Sequence, residues 1–266
     1  MTLEDPIRPL REAQLPPRLP PIQSAFKTER AGTQQAWTEL RALELDPKQL
    51  ETNRIVTVAR NDPRHMPLDI LRTKLVRTMR KNGWSVLAIT SPTARCGKST
   101  IALNLAFSLA MQSDLRLALL DFDLRSPSVA RLLGCGRHFA IERLLRGQNK
   151  MAENMLRHGN NLAVAPNTVP VRDAAELLQD VASGTAIREM RRTLGLDLVI
   201  LDLPPMLSSD DVMSILPGVD CVLLVAAAEL SSLNEIDICE QELSEQGKLL
   251  GVVLNKCRLL PEKYGY

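Results

Sequence analysis

Short and largely apolar runs recur along the chain after residue 85, and segments with helical spacing of apolar residues separate them. Such runs predict strands buried on both faces, because a strand covered on only one face alternates polar and apolar residues. The runs cover residues 86–89, 115–123, 162–165, 196–203, 221–228 and 249–254. The intervening helices are predicted from residue 98 onward and over 128–133, 139–145, 174–194 and 233–245. This alternation predicts an α/β fold, a mostly parallel sheet with helices on both faces.

The turn between the first strand and its helix carries the sequence Gly97-Lys98-Ser99-Thr100. A helix N-terminus presents unpaired backbone N–H groups and the positive end of the helix dipole, and both suit a phosphate group. A lysine at this place reaches the β- and γ-phosphate oxygens, and a serine hydroxyl can bind Mg²⁺. The standard phosphate loop begins with glycine five residues before Gly97, where this chain has Pro92. We predict a phosphate loop, and an ordinary strand-to-helix turn is the alternative.

Acidic residues follow two of the other predicted strands. Asp121 and Asp123 end the strand at 115–123, and Asp202 ends the strand at 196–203 before two prolines. Ligands of open parallel sheets bind beyond the carboxyl ends of the strands, so we expect these acids at one edge of the sheet. An acid at such a strand end after a phosphate loop is the Walker B arrangement, which holds Mg²⁺. Capping of the helix at 128–133 is the alternative role for Asp121 or Asp123.

The first 83 residues differ in character from the rest. Six prolines lie between Pro6 and Pro21, and we predict that residues 1–50 form a flexible, proline-rich tail. Residues 51–83 are predicted to form a basic linker and an amphipathic helix. The stretch 54–81 carries eight Lys/Arg and two Asp, with apolar residues at helical spacing, namely Leu68, Leu71, Leu75 and Met79. The basic face could rest on anionic lipid, on a neighbouring subunit, or on its own domain with the charges in solvent.

The composition of the chain argues against several classes of function. The formal net charge is +2 and aromatic residues make up 3% of the chain, so neither a basic nucleic-acid surface nor base-stacking platforms are expected. The five cysteines are widely spaced and odd in number, which predicts neither disulfides nor a metal site and favours a reducing cytoplasm. No secretory signal and no apolar stretch of membrane-spanning length is recognised. We therefore expect a cytoplasmic protein that meets a membrane only peripherally.

Four motifs together resemble the bacterial tyrosine kinases (BY-kinases) of capsule and exopolysaccharide assembly, P-loop ATPases related to the ParA/MinD group. The motifs are I-T-S-P-T-A-R-C-G-K-S-T-I-A-L-N-L-A, L-L-D-F-D-L-R-S-P, L-V-I-L-D-L-P-P and G-V-V-L-N-K, and the likeness runs from about residue 67 to the C-terminus. It implies ATP and Mg²⁺ as cofactors. The residues implied to bind the nucleotide are Ala94, Arg95, Cys96, Gly97, Lys98, Ser99, Thr100, Arg125 and Asn255, the last of them at the adenine.

The resemblance also implies the catalytic roles. Lys98 and the Walker acids Asp121, Asp123 and Asp202 carry the reaction, and Ser99, Asp121 and Asp202 hold the metal. One of Asp121 and Asp123 orients or deprotonates the tyrosine hydroxyl, and we favour Asp123 for contact with metal or substrate. Arg125 holds the transferring phosphate or the second acid. The expected phosphate acceptors are Tyr264 and Tyr266, the only tyrosines of the chain.

The implied organisation is a kinase domain at residues 84–258 followed by a tyrosine-containing tail at 259–266. The stretch L-R-T-K-L at 71–75 is similar to the family helix that packs against a neighbouring subunit, which predicts a homo-oligomer. The resemblance further implies a transmembrane activator of the chain-length-determinant type, and through it a peripheral place at the inner membrane. No nucleic-acid partner is expected.

Three positions depart from the family pattern. Arg95 replaces a usual loop glycine, and Met66 and Asp69 stand where the oligomerisation helix usually has Glu and Arg. Two alternatives of other classes stay open. A ParA/MinD-like ATPase usually carries a second lysine early in the loop, but residues 91–96 contain none. The second alternative is a nucleotide-sensing partner of a polysaccharide export complex, without kinase turnover.

Overall fold

The structure is a computed structural model that describes residues 30–59 and 62–257. Its strands are β1 (Arg41–Ala42), β2 (Val86–Thr90), β3 (Leu117–Asp121), β4 (Leu156–His158), β5 (Leu162–Ala165), β6 (Leu198–Asp202), β7 (Cys221–Ala227) and β8 (Leu249–Asn255). Its helices are α1 (Arg30–Glu39), α2 (Pro47–Thr52), α3 (His65–Asn82), α4 (Lys98–Ala110), α5 (Val129–Leu133), α6 (Ile141–Leu145), α7 (Met151–Asn154), α8 (Ala174–Gln179), α9 (Val181–Leu194), α10 (Asp211–Ile215) and α11 (Leu233–Glu245).

The strands form one sheet of eight in the order β1-β4-β5-β3-β6-β2-β7-β8. Every neighbouring pair is parallel except β4 and β5, which are antiparallel. The strand β2 that leads into the Gly-Lys-Ser turn lies between β6 and β7, and β3 lies on the far side of β6. The predicted α/β class is confirmed, and the ends of β2, β3 and β6 meet at one edge of the sheet.

Two apolar clusters, one on each face of the sheet, form the core. In β2, Ala88 belongs to one cluster and Leu87 and Ile89 belong to the other. All five residues of each of β2, β3 and β6 are buried. Burial on both faces explains why these strands read as continuous apolar runs in the sequence.

The segment before α3 is more ordered than the sequence predicts. The predicted end of the flexible tail at residue 50 is wrong, because Trp37 and Leu40 are buried in the core and β1 extends the sheet by pairing with β4. The guanidinium carbon of Arg116 lies 5.4 Å from the centre of the Trp37 ring, and Arg116 donates a hydrogen bond to Thr33. A large buried aromatic side chain gives this short segment a core contact of its own. Residues 1–29 lie outside the described part of the chain.

The helix α3 packs on its own domain through one face. Leu75 and Met79 are buried in the cluster that contains α4. A polar contact adds to this packing: Ser108 of α4 donates its hydroxyl to Asp69 at 2.6 Å, and Arg72 donates to the carbonyl oxygen of Ser108 at 3.1 Å. Asp69 and Arg72 therefore contact their own α4. The opposite face is exposed and basic, with Lys74, Arg77, Arg80 and Lys81.

Candidate functional site

The loop between β2 and α4 has the shape of a phosphate cradle. Gly97, which precedes the first residue of α4, has a φ of 89°, a left-handed conformation that glycine adopts without a steric cost. A Cβ atom at Gly97 would also collide with the side-chain amide of Asn255. Arg95 has a φ of 67° and is exposed, so the backbone takes the conformation of the usual glycine while the arginine lies at the surface.

The acids that end β3 and β6 are neighbours in the sheet. Asp121 and Asp202 are paired in the parallel register of β3 and β6, and neither is exposed to solvent. Asp123, two residues beyond Asp121, is 4% exposed. Three carboxyl groups therefore meet in the interior at the carboxyl edge of the sheet, as the sequence predicts for parallel strands.

Lys98 turns toward these acids. Its Nζ atom donates a hydrogen bond to Asp123 Oδ2 at 2.8 Å, and it lies 3.7 Å from Asp202 Oδ1. It also donates to the Ser99 hydroxyl at 3.2 Å. One lysine is therefore the cation that balances the buried acids directly, and the phosphate loop and the Walker acids form a single cluster.

Asp121 and Ser99 are both linked to the start of α5. Asp121 Oδ2 accepts hydrogen bonds from the backbone N–H groups of Ser128 and Val129, at 3.0 and 2.9 Å. The Ser128 hydroxyl donates to the Ser99 hydroxyl at 2.8 Å. Asp121 therefore has the helix-capping role that the sequence offered as the alternative. Its other oxygen, Oδ1, takes no part in these hydrogen bonds.

Burial is the largest influence on the pKa values of this cluster. Burial and the charge of Asp202 raise the pKa of Asp121 well above its ordinary value of 3.8. Burial also raises the pKa of Asp202, although Lys98 acts in the opposite direction. Burial alone would lower the pKa of Lys98, but the charges of Asp202 and Asp123 outweigh it, so the pKa of Lys98 is raised. Lys98 is therefore charged. A further cation in the cluster would stabilise the ionised form of the acids.

The oxygen atoms of the cluster fit Mg²⁺. Both oxygens of Asp202 and Oδ1 of Asp121 are buried and accept no hydrogen bond from the described residues. Buried acceptors normally have partners, and Mg²⁺ prefers oxygen ligands. The part of the chain that the structure describes contains no group of three or more His, Cys, Asp or Glu side chains that could hold a metal ion alone. A metal here would therefore share its ligands among these acids, the Ser99 hydroxyl and bound phosphate.

Two predicted nucleotide contacts lie at the sides of the cluster. Arg125 forms two hydrogen bonds with the carboxylate of Asp211 in α10, at 2.8 and 2.9 Å, so its guanidinium is directed to that acid. Asn255, at the end of β8, donates its amide to the carbonyl oxygen of Cys96 at 2.9 Å and so joins the last strand to the phosphate loop. Among the other loop residues, Ala94 is exposed and Thr100 lies in the first turn of α4. Tyr264 and Tyr266 lie outside the described residues.

Sequence reasoning missed two members of this region. Ser128 contacts Ser99, and Asp211 is a fully buried acid that binds Arg125. The signal for Asp211 was the acidic pair at 210–211, shortly after the Walker B strand. Nothing in the sequence indicated that Ser128 would contact the phosphate loop, because that contact depends on how the turn after β3 folds.

Comparison with known proteins gives a consistent result. The ParA family model, described as the NUBPL iron-transfer P-loop NTPase, matches residues 84–263. The chain is 30% identical over 183 residues to the tyrosine-protein kinase CpsD of Streptococcus pneumoniae, covering 68% of this chain and 79% of CpsD. It is 29% identical over 194 residues to the tyrosine-protein kinase etk of Escherichia coli K12, covering 70% of this chain and 25% of etk. The chain thus spans about a quarter of the length of this and other curated relatives.

Solved structures agree with the sequence matches. The kinase domain of the Escherichia coli tyrosine kinase ETK superposes with a TM-score of 0.68 at 27% identity, over 80% of this chain and 84% of that domain. The kinase domain of VpsO gives a TM-score of 0.64 at 26% identity, over 73% of this chain and 97% of that domain. Among the helices that the structure describes, none is long and apolar enough to cross a membrane.

Proposed function

The chain belongs to the bacterial tyrosine-protein kinases and to the ParA-like P-loop NTPases, and we propose from this that it transfers phosphate from ATP to protein tyrosine. The observation that carries the proposal is the cluster of Lys98, Ser99 and the buried acids Asp121, Asp123 and Asp202. Phosphoryl transfer needs placement of the reactants and neutralisation of charge more than covalent chemistry, and this cluster supplies both. The regulated process is exopolysaccharide or capsule polymerisation and export.

The loop and Lys98 bind the phosphates of ATP. The N-terminus of α4 offers backbone N–H groups to the phosphates, as any helix N-terminus does, and Lys98 exchanges its ion pair with Asp123 for contact with the β- and γ-phosphate oxygens. Ser99, Asp121 and Asp202 would hold Mg²⁺, which would supply Lewis-acid neutralisation of the phosphate charge. Asn255, which donates its amide to the carbonyl oxygen of Cys96 in the loop, is the residue that we assign to the adenine.

Asp123 is the group that receives the tyrosine. In the structure its carboxylate is paired with Lys98 at 2.8 Å. Once Lys98 moves to the phosphates, Asp123 becomes available to accept the hydrogen bond of the tyrosine hydroxyl, whose ordinary pKa is about 10. Arg125, held by Asp211, keeps the segment after Asp123 in place. Pairing with Lys98 thus keeps Asp123 engaged until a nucleotide binds.

Tyr264 and Tyr266 are the proposed acceptors, on a second copy of the chain in a homo-oligomer. A transmembrane activator of the chain-length-determinant type is the proposed partner, and it would place the protein peripherally at the inner membrane. To test this, the purified full chain is incubated with Mg·ATP, with and without a cytoplasmic fragment of such an activator, and phosphotyrosine is detected on a blot. We expect phosphotyrosine in the wild type.

The double variant Tyr264→Phe plus Tyr266→Phe is the matched comparison. It should lose autophosphorylation while still phosphorylating an added tyrosine-containing peptide, because the catalytic cluster is intact. Phosphate that the double variant still incorporates from Mg·ATP, detected by intact mass, would lie on a residue type other than tyrosine, because this variant has no tyrosine left, and it would contradict the tail as the acceptor. Tight ATP binding with no phosphotyrosine under either condition would favour a nucleotide-sensing module instead.

A further inference from the structure

A cavity of about 520 Å³ opens where the chain leaves the carboxyl ends of β7 and β8. It is lined by Arg54, Ala228, Glu229, Lys256 and Cys257. Asn255 links it to the loop, because its side chain donates to the carbonyl oxygen of Cys96 and its backbone carbonyl accepts from the N–H of Ala228 at 2.9 Å. Four of the lining residues follow β7 and β8, whereas Arg54 belongs to the segment before α3.

The backbone around this cavity is unusual. The described residues include four non-glycine residues with positive φ, and three of them line the cavity: Arg54 at 57°, Glu229 at 63° and Lys256 at 59°. Arg54 follows the last turn of α2, where glycine is the common residue because it carries no steric cost. Strained residues concentrate at ligand sites, and here the strained positions carry charged side chains.

Asn104 fixes Arg54 to the helix that follows the phosphate loop. Its side-chain N–H₂ group donates to the carbonyl oxygens of Thr100, in the first turn of α4, and of Arg54, both at 2.9 Å. Its side-chain oxygen accepts from the N–H groups of Val56 and Thr57, at 2.8 and 3.2 Å. Asn104 is 2% exposed. A single buried amide therefore holds residues 54–57 against the start of α4.

We propose that Arg54 contacts the nucleoside end of the bound nucleotide. Through Asn104, this contact couples the docking of the segment before α3 to the affinity for the nucleotide. The inference rests on the proposed nucleotide site. A guanidinium group is planar and stacks on aromatic rings, which suits a purine base, whereas the phosphates already have Lys98 and the backbone of the loop. Coupling is reciprocal: a nucleotide that holds Arg54 also stabilises residues 54–57 on α4.

The test compares two ligands on the full chain by titration calorimetry. Mg·ADP carries a nucleoside, and Mg·tripolyphosphate carries phosphates alone. We expect Arg54→Ala to weaken Mg·ADP binding about three- to tenfold and to change tripolyphosphate binding less than about twofold. Arg54→Lys should behave like alanine, because an ammonium group is not planar. Arg41→Ala, which removes an exposed arginine of β1, is the matched control and should leave both affinities unchanged.

Hydrogen exchange supplies the second readout. In the wild type, Mg·ADP should slow exchange in a peptide that contains Val56 and Thr57 more than Mg·tripolyphosphate does, and in Arg54→Ala the two ligands should act equally. Equal ADP affinity in wild type and Arg54→Ala overturns the inference, as does an equal loss for both ligands. A wild type that binds neither ligand refutes the proposed function itself.

Discussion

The substitution Asp121→Asn tests the electrostatics of the buried acids. Asparagine keeps the carbonyl oxygen that accepts from the backbone of Ser128 and Val129. It replaces Oδ1, which is buried without a hydrogen-bond partner among the described residues, by an N–H₂ group near Asp202. An unpartnered buried acceptor costs about 1–3 kcal/mol. We therefore expect the variant to be about 2 kcal/mol more stable than the wild type when metal and nucleotide are removed.

The gain should depend on pH in a defined direction. The pKa of Asp121 is raised by burial and by Asp202, so in the wild type the unfolded chain releases this proton at lower pH than the folded chain. The contribution of Asp121 to wild-type stability therefore falls as the pH rises from the ordinary value of 3.8 through the raised pKa. Asparagine does not titrate, so its advantage should be largest at neutral pH and should shrink as the pH falls.

Thermal unfolding with a chelator present measures the effect. A gain of about 2 kcal/mol corresponds to an increase in Tm of about 4–8 °C for a domain of this size. Asp220→Asn is the control, because Asp220 also accepts two backbone N–H bonds with one oxygen, at the start of β2 and away from the acids. A lower Tm for Asp121→Asn at neutral pH, of the kind expected for Asp220→Asn, would refute the view that the buried acids repel one another.

Three other perturbations follow from the same contacts. Lys98→Met should remove Mg·ATP binding in calorimetry and lower the free energy of unfolding by about 3 kcal/mol, because Asp123 and Asp202 lose their cation. Alkylation of the exposed Cys257, followed by peptide mass spectrometry, should slow when Mg·ADP is added, since this thiol lines the same cavity as Arg54. Trp37→Ala should lower the free energy of unfolding in urea by about 3–5 kcal/mol, because this side chain is wholly buried.

The labelling of Cys257 and the substitution Trp37→Ala each have an internal comparison. Labelling of Cys135, which is half-buried and outside the cavity, should not respond to Mg·ADP. Trp84 is less buried than Trp37, so Trp84→Ala should cost less stability. Unchanged stability of Trp37→Ala would restore the prediction of a flexible tail over residues 1–50. Unchanged stability of Lys98→Met would contradict the ion pairs of Lys98 with Asp123 and Asp202.

The central strands were predictable because their physics is local. The run at 86–89 is apolar throughout, since both faces of the strand are covered, and this signal needs no knowledge of the rest of the fold. The placement of Asp121 and Asp202 followed from the same logic, because parallel neighbours end at one edge. The two-residue β1 and the four-residue α7 carry no periodicity long enough to recognise.

Contacts between distant segments were beyond sequence reasoning. Trp37 lies within the segment 1–50 that the sequence predicts to be a flexible tail, and its burial depends on where α9 and Arg116 lie. Arg125 follows the Walker acids and is predicted to hold the transferring phosphate or the second acid, but the sequence gives no sign of its contact with Asp211, 86 residues later. The link from Asn104 to Arg54 could not be foreseen either, because an asparagine inside an apolar helix gives no sign of its partners.

Intact-mass spectrometry with peptide mapping, after incubation of the purified full chain with Mg·ATP, tests the central proposal most directly. Wild type and Lys98→Met are compared, with circular dichroism to verify that both are folded. We predict added phosphate on the C-terminal peptide that contains Tyr264 and Tyr266 in the wild type, and none in the variant. A wild type that binds ATP but gains no phosphate, even with a cytoplasmic activator fragment, would contradict the assignment as a tyrosine kinase.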